Sequence, residues 1–216
     1  AALQRGFRKA GALTMAGTMQ STLTPVPAGW LATIVTSLEM TARPAAPTEP
    51  VRAPFKLERW TAPVSVEAYR TLFRKIGGPW LWFSRLLLSD AELTAILDAP
   101  TTELFVATRR DGTAIGIIEL DFAAPNQTEL AFIGLTPELA GHGHGGWLMS
   151  HALRRAWRDD TVRVWVHTCD LDHPGALRFY QRQGFKPYAR AVETFPDPRL
   201  TGLYPADIAP HVLLLA

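Results

Sequence analysis

Cysteine is nearly absent from this sequence: Cys169 is the only one in 216 residues. No internal disulfide can form, and no zinc framework of paired thiolates can be built, so no metal is expected. This usage fits a reducing compartment, and the chain is expected in the cytoplasm. Net charge is small as well. The 22 Lys and Arg against 20 Asp and Glu leave a formal +2, too little to call for nucleic acid or a membrane surface as partner. No apolar run approaches the roughly eighteen residues of a membrane span. Repeats and low-complexity segments are missing too. Acidic residues are absent from positions 1–29, which carry Arg5, Arg8 and Lys9. That stretch lacks the continuous apolar centre of a secretory signal, so it is expected to be a poorly ordered extension. Residues 30–216 are expected to form a single domain, which is long enough for a real core.

Glycine, by contrast, is concentrated. Four of the six residues from Gly141 to Gly146 are glycine, interrupted by His142 and His144. Before them runs a β-like stretch from Leu130 to Leu135. After them Met149, Leu153, Ala156 and Trp157 recur at helical spacing. Glycine is unfavourable inside a helix, so this density needs a reason. A strand, a glycine turn and a helix N-terminus leave several main-chain N–H groups unpaired, with the helix dipole adding positive charge. Such a turn binds phosphate without a Lys or Arg.

The rest of the chain alternates strands and helices. Residues 30–40 are β-branched and apolar and read as a strand, followed by a proline-rich linker at 42–54. A short strand is expected at 55–60. Ser65 caps a helix with the stripe Ala68, Tyr69, Leu72, Phe73 and Ile76, stopped by Gly77-Gly78-Pro79. Ser89 or Asp90 caps a second helix through Leu97. Strands at 103–108 and 114–122 flank an Asp111-Gly112 hairpin turn. Val162, Val164 and Val166 alternate with polar or aromatic residues in a further strand. Pro174 is placed to open a helix ending at Gly184, with His173 before it. A strand follows at 186–195, and Val212 to Leu215 is expected to pair as an edge strand. The fold class is therefore α/β, a twisted mixed α+β sheet with helices on both faces.

Two motifs carry a resemblance. Pro137-Glu138-x-x-Gly141-x-Gly143-x-Gly145 and, downstream, Ala176-x-x-x-Tyr180-x-x-x-Gly184-Phe185 resemble the GNAT superfamily of acetyl-CoA-dependent N-acetyltransferases. The resemblance covers about residues 55–195. It implies a GNAT-like fold, with acetyl-CoA as co-substrate and a primary amine of a small molecule or peptide as acceptor, joined by direct transfer in a ternary complex. It implies main-chain hydrogen bonds from Ile133, Gly134 and Leu135 to the pantetheine arm. Ala140, Gly141, His142, Gly143, His144, Gly145 and Gly146 would cradle the pyrophosphate, with His173, Ala176 and Phe179 beside it. Tyr180 matches the tyrosine that protonates the departing thiolate. Two positions depart from the family: Ala140 stands where Arg or Gln is usual, and His173 where Asn is common. The first removes a side-chain contact to phosphate, and His142 and His144 are expected to supply charge in its place.

Amine acetylation needs a proton acceptor for the ammonium and a donor to the thioester carbonyl. Glu129, at the start of the central strand, is the candidate base, with Glu119 and Asp121 in reserve. A backbone N–H near Gly134 or Leu135 is the candidate donor. Trp80, Trp82, Phe83 and Arg85 lie between the first two helices, where the superfamily's acceptor site tends to be lined. Arg85 is suited to hold a carboxylate. Exposed edge strands would allow a homodimer.

Other readings fit less of the sequence. Gly141-x-Gly143-x-x-Gly146 with Asp170 matches the fingerprint of an NAD-dependent oxidoreductase, but residues 136–140 separate the glycines from their strand. A non-catalytic acyl-CoA-binding module would also fit the two departures. His142, His144 and His151 have no partner at metal-ligand spacing. Cys169 has no base placed beside it to make it an acyl carrier.

Overall fold

The computed structural model describes residues 23–45 and 53–215. Seven strands form one sheet: β1 (Trp30–Met40), β2 (Lys56–Trp60), β3 (Thr102–Thr108), β4 (Ala114–Asp121), β5 (Gln127–Leu135), β6 (Arg163–Cys169) and β7 (Lys186–Pro196). Their order is β2-β3-β4-β5-β6-β1-β7. The β5–β6 pair is parallel and every other pair is antiparallel. The helices are α1 (Val66–Gly77), α2 (Asp90–Leu97), α3 (His144–Ala156) and α4 (Ala176–Arg182).

Both faces are covered. Tyr69, Leu72, Phe73 and Ile76 of α1 and Leu93 and Leu97 of α2 pack with Leu104, Val106 and Ile117 on one face. Leu148, Met149, Ala152 and Ala156 of α3 and Tyr180 of α4 pack with Leu38, Ile118, Leu120, Leu130, Val164 and Val166 on the other. The stripe of α1 falls where its spacing predicts. Ser65 caps it by accepting from Ala68 N at 3.2 Å. Ser89, rather than Asp90, caps α2, in a reciprocal box with Glu92. The turn at Asp111-Gly112 is held by Thr113 N donating to the Asp111 carboxylate at 2.9 Å.

Two expectations change, and one pairing lies beyond what the sequence shows. Strand β1 lies between β6 and β7, antiparallel to both, a long-range pairing that local pattern does not encode. Helix α4 begins at Ala176, not Pro174. His173 Nδ1 accepts from Gly175 N at 3.0 Å, and this local turn occupies the residues before the helix. Residues 212–215 form no strand. The buried Arg199 instead takes the carbonyls of Val212 at 2.9 Å and Leu213 at 3.4 Å, so these groups face a guanidinium and not a sheet edge. The expected extension at 1–29 lies mostly outside the described residues, as does part of the proline-rich linker.

Candidate active site

The site begins with a break in the sheet. Strands β5 and β6 pair only at Gln127–Arg163, Thr128–Val164 and Glu129–Trp165. Beyond them β5 runs on to Leu135 and β6 to Cys169 without pairing to each other. The cause is a bulge. Leu120 of β4 faces Leu130, while Glu119 faces Phe132, so Ala131 is an extra residue. A bulge bends its strand and re-aims the side chains after it. Leu130, Ile133 and Leu135 point to the α3 core, whereas Phe132 packs with α1. The result is a slot edged by unpaired main-chain N–H and C=O groups, which need a partner. An extended polar chain can supply one by lying between the strands.

At the C-terminal end of β5 the chain makes a short 3-10 turn, Pro137–Leu139, and then enters the glycines. Gly141 and Gly143 have φ of +77° and +80°, a region that side chains rarely tolerate. Gly143 caps α3 without a side-chain acceptor, so the first-turn N–H groups stay available. A Cβ at Gly141, Gly143 or Gly146 would meet only open space. At Gly145 it would lie 3.5 Å from the Phe179 ring, which seats α4 against the turn. The site therefore combines a slot for an extended arm with an uncapped helix N-terminus for an anion.

A family model for the GNAT acetyltransferases matches residues 67–185, more than half of the chain. The chain belongs to the GNAT acetyltransferase family. A search of curated protein sequences finds no match. Among solved structures, a Drosophila protein is similar at a TM-score of 0.58 and 16% identity, covering 80% of this chain and 54% of its own. A GCN5-related N-acetyltransferase from Sphaerobacter thermophilus is similar at a TM-score of 0.50 and 16% identity, covering 77% of this chain and 53% of its own. At such identities the likeness is one of fold, and the chain spans about half the length of both structures. Acyl transfer from acetyl-CoA is the general chemistry of that family. Family membership also removes the dinucleotide reading: the GNAT sheet is mostly antiparallel here, and the glycines follow a 3-10 turn, not a strand.

The slot of this GNAT chain also brings chemistry together. Tyr180 of α4 is buried, flanked edge-on by Phe179 and Phe185. Its hydroxyl has no hydrogen-bond partner among the described residues. Burial first, and the negative charge of Asp172 second, push its pKa well above the ordinary phenol value, so it stays protonated. Glu129, at the last paired position of β5, lies 3.6 Å from His167 Nδ1 on β6. Burial pulls the His167 pKa down, but Glu129, with Asp172 and Glu193, outweighs it and leaves the imidazole raised.

The reserve carboxylates are engaged elsewhere. Glu119 is 1% exposed and accepts from Tyr69 Oη at 2.5 Å and from Arg85 Nη2 at 2.5 Å. Asp121 accepts from Ala123 N at 2.7 Å in the following turn. Arg85 is accordingly committed to Glu119 through Nε and Nη2, against its expected role toward a substrate carboxylate. Phe83 stacks on Phe195 at 4.4 Å, and Trp80 meets His173 and His211 edge-on. Trp82 Nε1 donates to Asp172 Oδ1 at 3.0 Å. His142 Nδ1 lies 2.9 Å from Ala140 O, and His144 packs edge-on against Phe55 at 4.9 Å. Ala140 is exposed beside the turn, and Ala176 packs against the α3-side core.

Two residues were missed by sequence reasoning. Asp172 also accepts from Thr168 Oγ1 at 2.7 Å and Cys169 N at 3.1 Å, so it ties the end of β6 to Trp82. An aspartate just past a strand and before His-Pro was a visible signal for such a turn. His167 had none beyond its polar position in an alternating strand. Cys169 has its thiol pushed up to about 11, mainly by burial and then by Asp172. It is therefore a thiol, not a nucleophilic thiolate, at neutral pH. No cluster of three metal-ligating side chains occurs among the described residues. No helix there is long and apolar enough to cross a membrane.

Recesses of about 140 Å³ beside Met40 and Gly184, and about 210 Å³ beside Pro125 and Arg158, hold none of these residues.

Proposed function

We propose that this chain is an N-acetyltransferase that moves the acetyl group of acetyl-CoA to a primary amine of a small molecule or peptide, with both bound at once. The observation that carries the reading is the unpaired slot between β5 and β6, ending at the uncapped N-terminus of α3. Acetyl-CoA fits what the slot offers, and supplies the activated thioester. Main-chain groups of Ile133, Gly134 and Leu135 hold the pantetheine arm. The turn from Ala140 through Gly146 holds the pyrophosphate, with His173, Ala176 and Phe179 alongside.

The protons are handled by side chains beside the slot. Glu129 holds the Nδ1 side of His167, which leaves Nε2 to take the proton that the acceptor ammonium must lose. A main-chain N–H at Gly134 or Leu135 stabilises charge on the carbonyl oxygen. The hydroxyl of Tyr180, protonated and without another partner, donates its proton to the sulfur as the C–S bond breaks. Trp80, Trp82 and Phe83 flank the acceptor side.

Thermal melts with CoA, acetyl-CoA and NAD test the reading. Ligand at about a hundred times its dissociation constant stabilises by ~2.7 kcal/mol, a shift of about 5–10 °C for a domain of this size. CoA and acetyl-CoA should shift the melt and NAD should not. A shift with NAD alone would overturn the reading. An amine screen follows. Glu129→Gln and Tyr180→Phe should keep the CoA shift and lose turnover. If no amine is acetylated by a protein that binds CoA, a binding module is the better description.

A further inference from the structure

One side chain reaches from β5 to the end of β6, where the two strands no longer pair. Trp82 follows Leu81, whose φ of +54° is left-handed. A leucine keeps that conformation only when its surroundings enforce it. The turn lays the indole against the α1 side of β5. Its Cη2 is 3.2 Å from where a Cβ on Gly134 would stand, and its ring lies 5.2 Å from Phe132. At the other edge of the indole, Nε1 donates to Asp172 Oδ1 at 3.0 Å. Asp172 Oδ2 accepts from Thr168 Oγ1 and Cys169 N, in the last two residues of β6. Strands that share ladder bonds at 127–129 are thus joined a second time, near Gly134, by side chains.

The residues around the bridge make room for it and hold it. A Cβ on Gly134 would stand 2.7 Å from Ile76 Cγ2 as well as against the indole, so the close approach of ring to strand requires glycine. A Cβ on Gly77 would come within 2.5 Å of Trp82 Cβ. Phe73 packs at 5.4 Å behind the ring. Tyr204 Oη donates to the Trp82 carbonyl at 2.7 Å, tying the C-terminal segment to the same residue. At the far end Asp172 takes three donors, one from the indole and two from β6, which fixes its carboxylate.

We infer that the Trp82–Asp172 bridge sets the separation of β5 from the end of β6, and so positions the main-chain groups that hold the cofactor arm. The inference rests on the acyl-CoA reading given above. An arm lying on β5 needs its N–H and C=O groups at hydrogen-bond distance, which neither a closed ladder nor a loose gap provides. The bridge fixes Gly134 on β5 relative to the turn that leads from β6 into α4. Gly134 or Leu135 carries the candidate donor to the carbonyl oxygen, and α4 carries Tyr180, the candidate donor to the sulfur. Both are therefore referred to one rigid link, the kind of support that holds reacting groups within a fraction of an ångström. Trp82 and Asp172 are positioning residues in this account and touch no reacting atom.

A double-mutant cycle on CoA affinity tests the bridge without any acceptor. Trp82→Phe keeps a ring against Gly134 and loses Nε1. Asp172→Asn cannot keep all three donors, because one end of an amide is itself a donor. In titration calorimetry each variant should bind CoA about tenfold more weakly than the native protein, the scale of one lost hydrogen bond to a charged group. The double variant should bind about as weakly as either single one, since a bridge cut at one end is already cut. Of the seven tryptophan indole N–H resonances, the one missing from Trp82→Phe should be the one that moves in Asp172→Asn. Losses that multiply in the double variant would overturn the bridge as a unit. Native CoA affinity in either single variant, with only the melting temperature lowered, would make the contact structural support and overturn the inference. If Trp82→Phe does not fold, Asp172→Asn decides: an indole resonance and the CoA affinity must both change, and a change in neither or in one alone overturns it. Failure of the native protein to bind CoA would instead remove the function reading, and this inference with it.

Discussion

Glu119 and Glu129 sit on neighbouring strands, on either side of the bulge at Ala131, and have opposite fates. Glu119 is almost fully buried, with a tyrosine hydroxyl and a guanidinium bonded to it. Both partners hold their protons over any ordinary pH: burial and the nearby Glu119 raise the Tyr69 pKa, and Glu119 keeps Arg85 raised against its own burial. Glu129 has a single close ionic partner among the described residues, His167, whose side chain is 40% exposed. The first cluster is finished electrostatically and can only hold elements together, joining α1 and the α1–α2 connection to β4. The second is unfinished, and an unfinished pair beside an open slot is what proton transfer needs. Under the proposed function, burial alone would nominate the wrong carboxylate.

The sharpest break of this contrast is Arg85→Met. It leaves Glu119 buried and uncompensated, which should destabilise the fold by about 3–5 kcal/mol in denaturant melts. Glu129→Gln should lower stability by less than about 1 kcal/mol, as a partly exposed pair contributes little. If the two variants are equally destabilised, the division into a structural and a functional carboxylate fails.

Turnover should reverse the order. Glu129→Gln is expected to lower kcat/KM about a hundredfold once an acceptor is known, the low end for disabling a base, here by freeing the imidazole that Glu129 orients. Arg85→Met, compared as folded protein below its melting range, should lose far less. Tyr180→Phe should reduce kcat by about tenfold or more without changing CoA affinity, since it removes only the proton donor. A weaker effect of Tyr180→Phe on kcat than on CoA binding would make it a packing residue. At the other end of the slot, Gly143→Ala should cost about 1–2 kcal/mol of stability, because alanine must adopt the left-handed cap conformation. It should weaken CoA binding at the same time.

Much of this contrast was invisible before the fold. Local patterns were enough for the elements: the caps at Ser65 and Ser89, the alternation of Val164 and Val166, and the glycines that turn β5 into α3. The main-chain half of the site was legible for the same reason, since left-handed glycines and an uncapped helix start are neighbours in sequence. The side-chain half depends on distant partners. Tyr69 and Glu119 are 50 residues apart, and Trp82 and Asp172 are 90 apart. The bulge at Ala131 exists only relative to β4, and it decides which β5 side chains face which helix. Arg85 reads as a free cation in sequence because nothing local shows that Glu119 will reach it. The place of β1 between β6 and β7 is hidden on the same ground.

The smallest expected effect is also the most direct probe of the Glu129 side. Three carboxylates act on the His167 imidazole, Glu129 on β5 at 3.6 Å, Asp172 after β6 and Glu193 on β7, and Ser37 pairs with it on β1. Burial lowers its pKa and the carboxylates raise it, with a net rise above 6.5. A group with a raised folded pKa adds stability that is fully present below its unfolded value and is lost as pH rises through the folded one. Stability should therefore decline as pH rises above 6.5 and through the raised folded pKa, and kcat/KM should increase over the same interval as Nε2 becomes free to accept a proton. An NMR titration of the histidine ring resonances measures the pKa itself. Glu129→Gln should move it downward, because the burial contribution remains while its chief opponent is gone. His167→Gln should abolish both the titration and the matching inflection in rate, and leave any change at Tyr180 at higher pH untouched. If the ring titrates at the same pH with and without Glu129, the two are neighbours and not a pair, and the proton acceptor would be Glu129 alone.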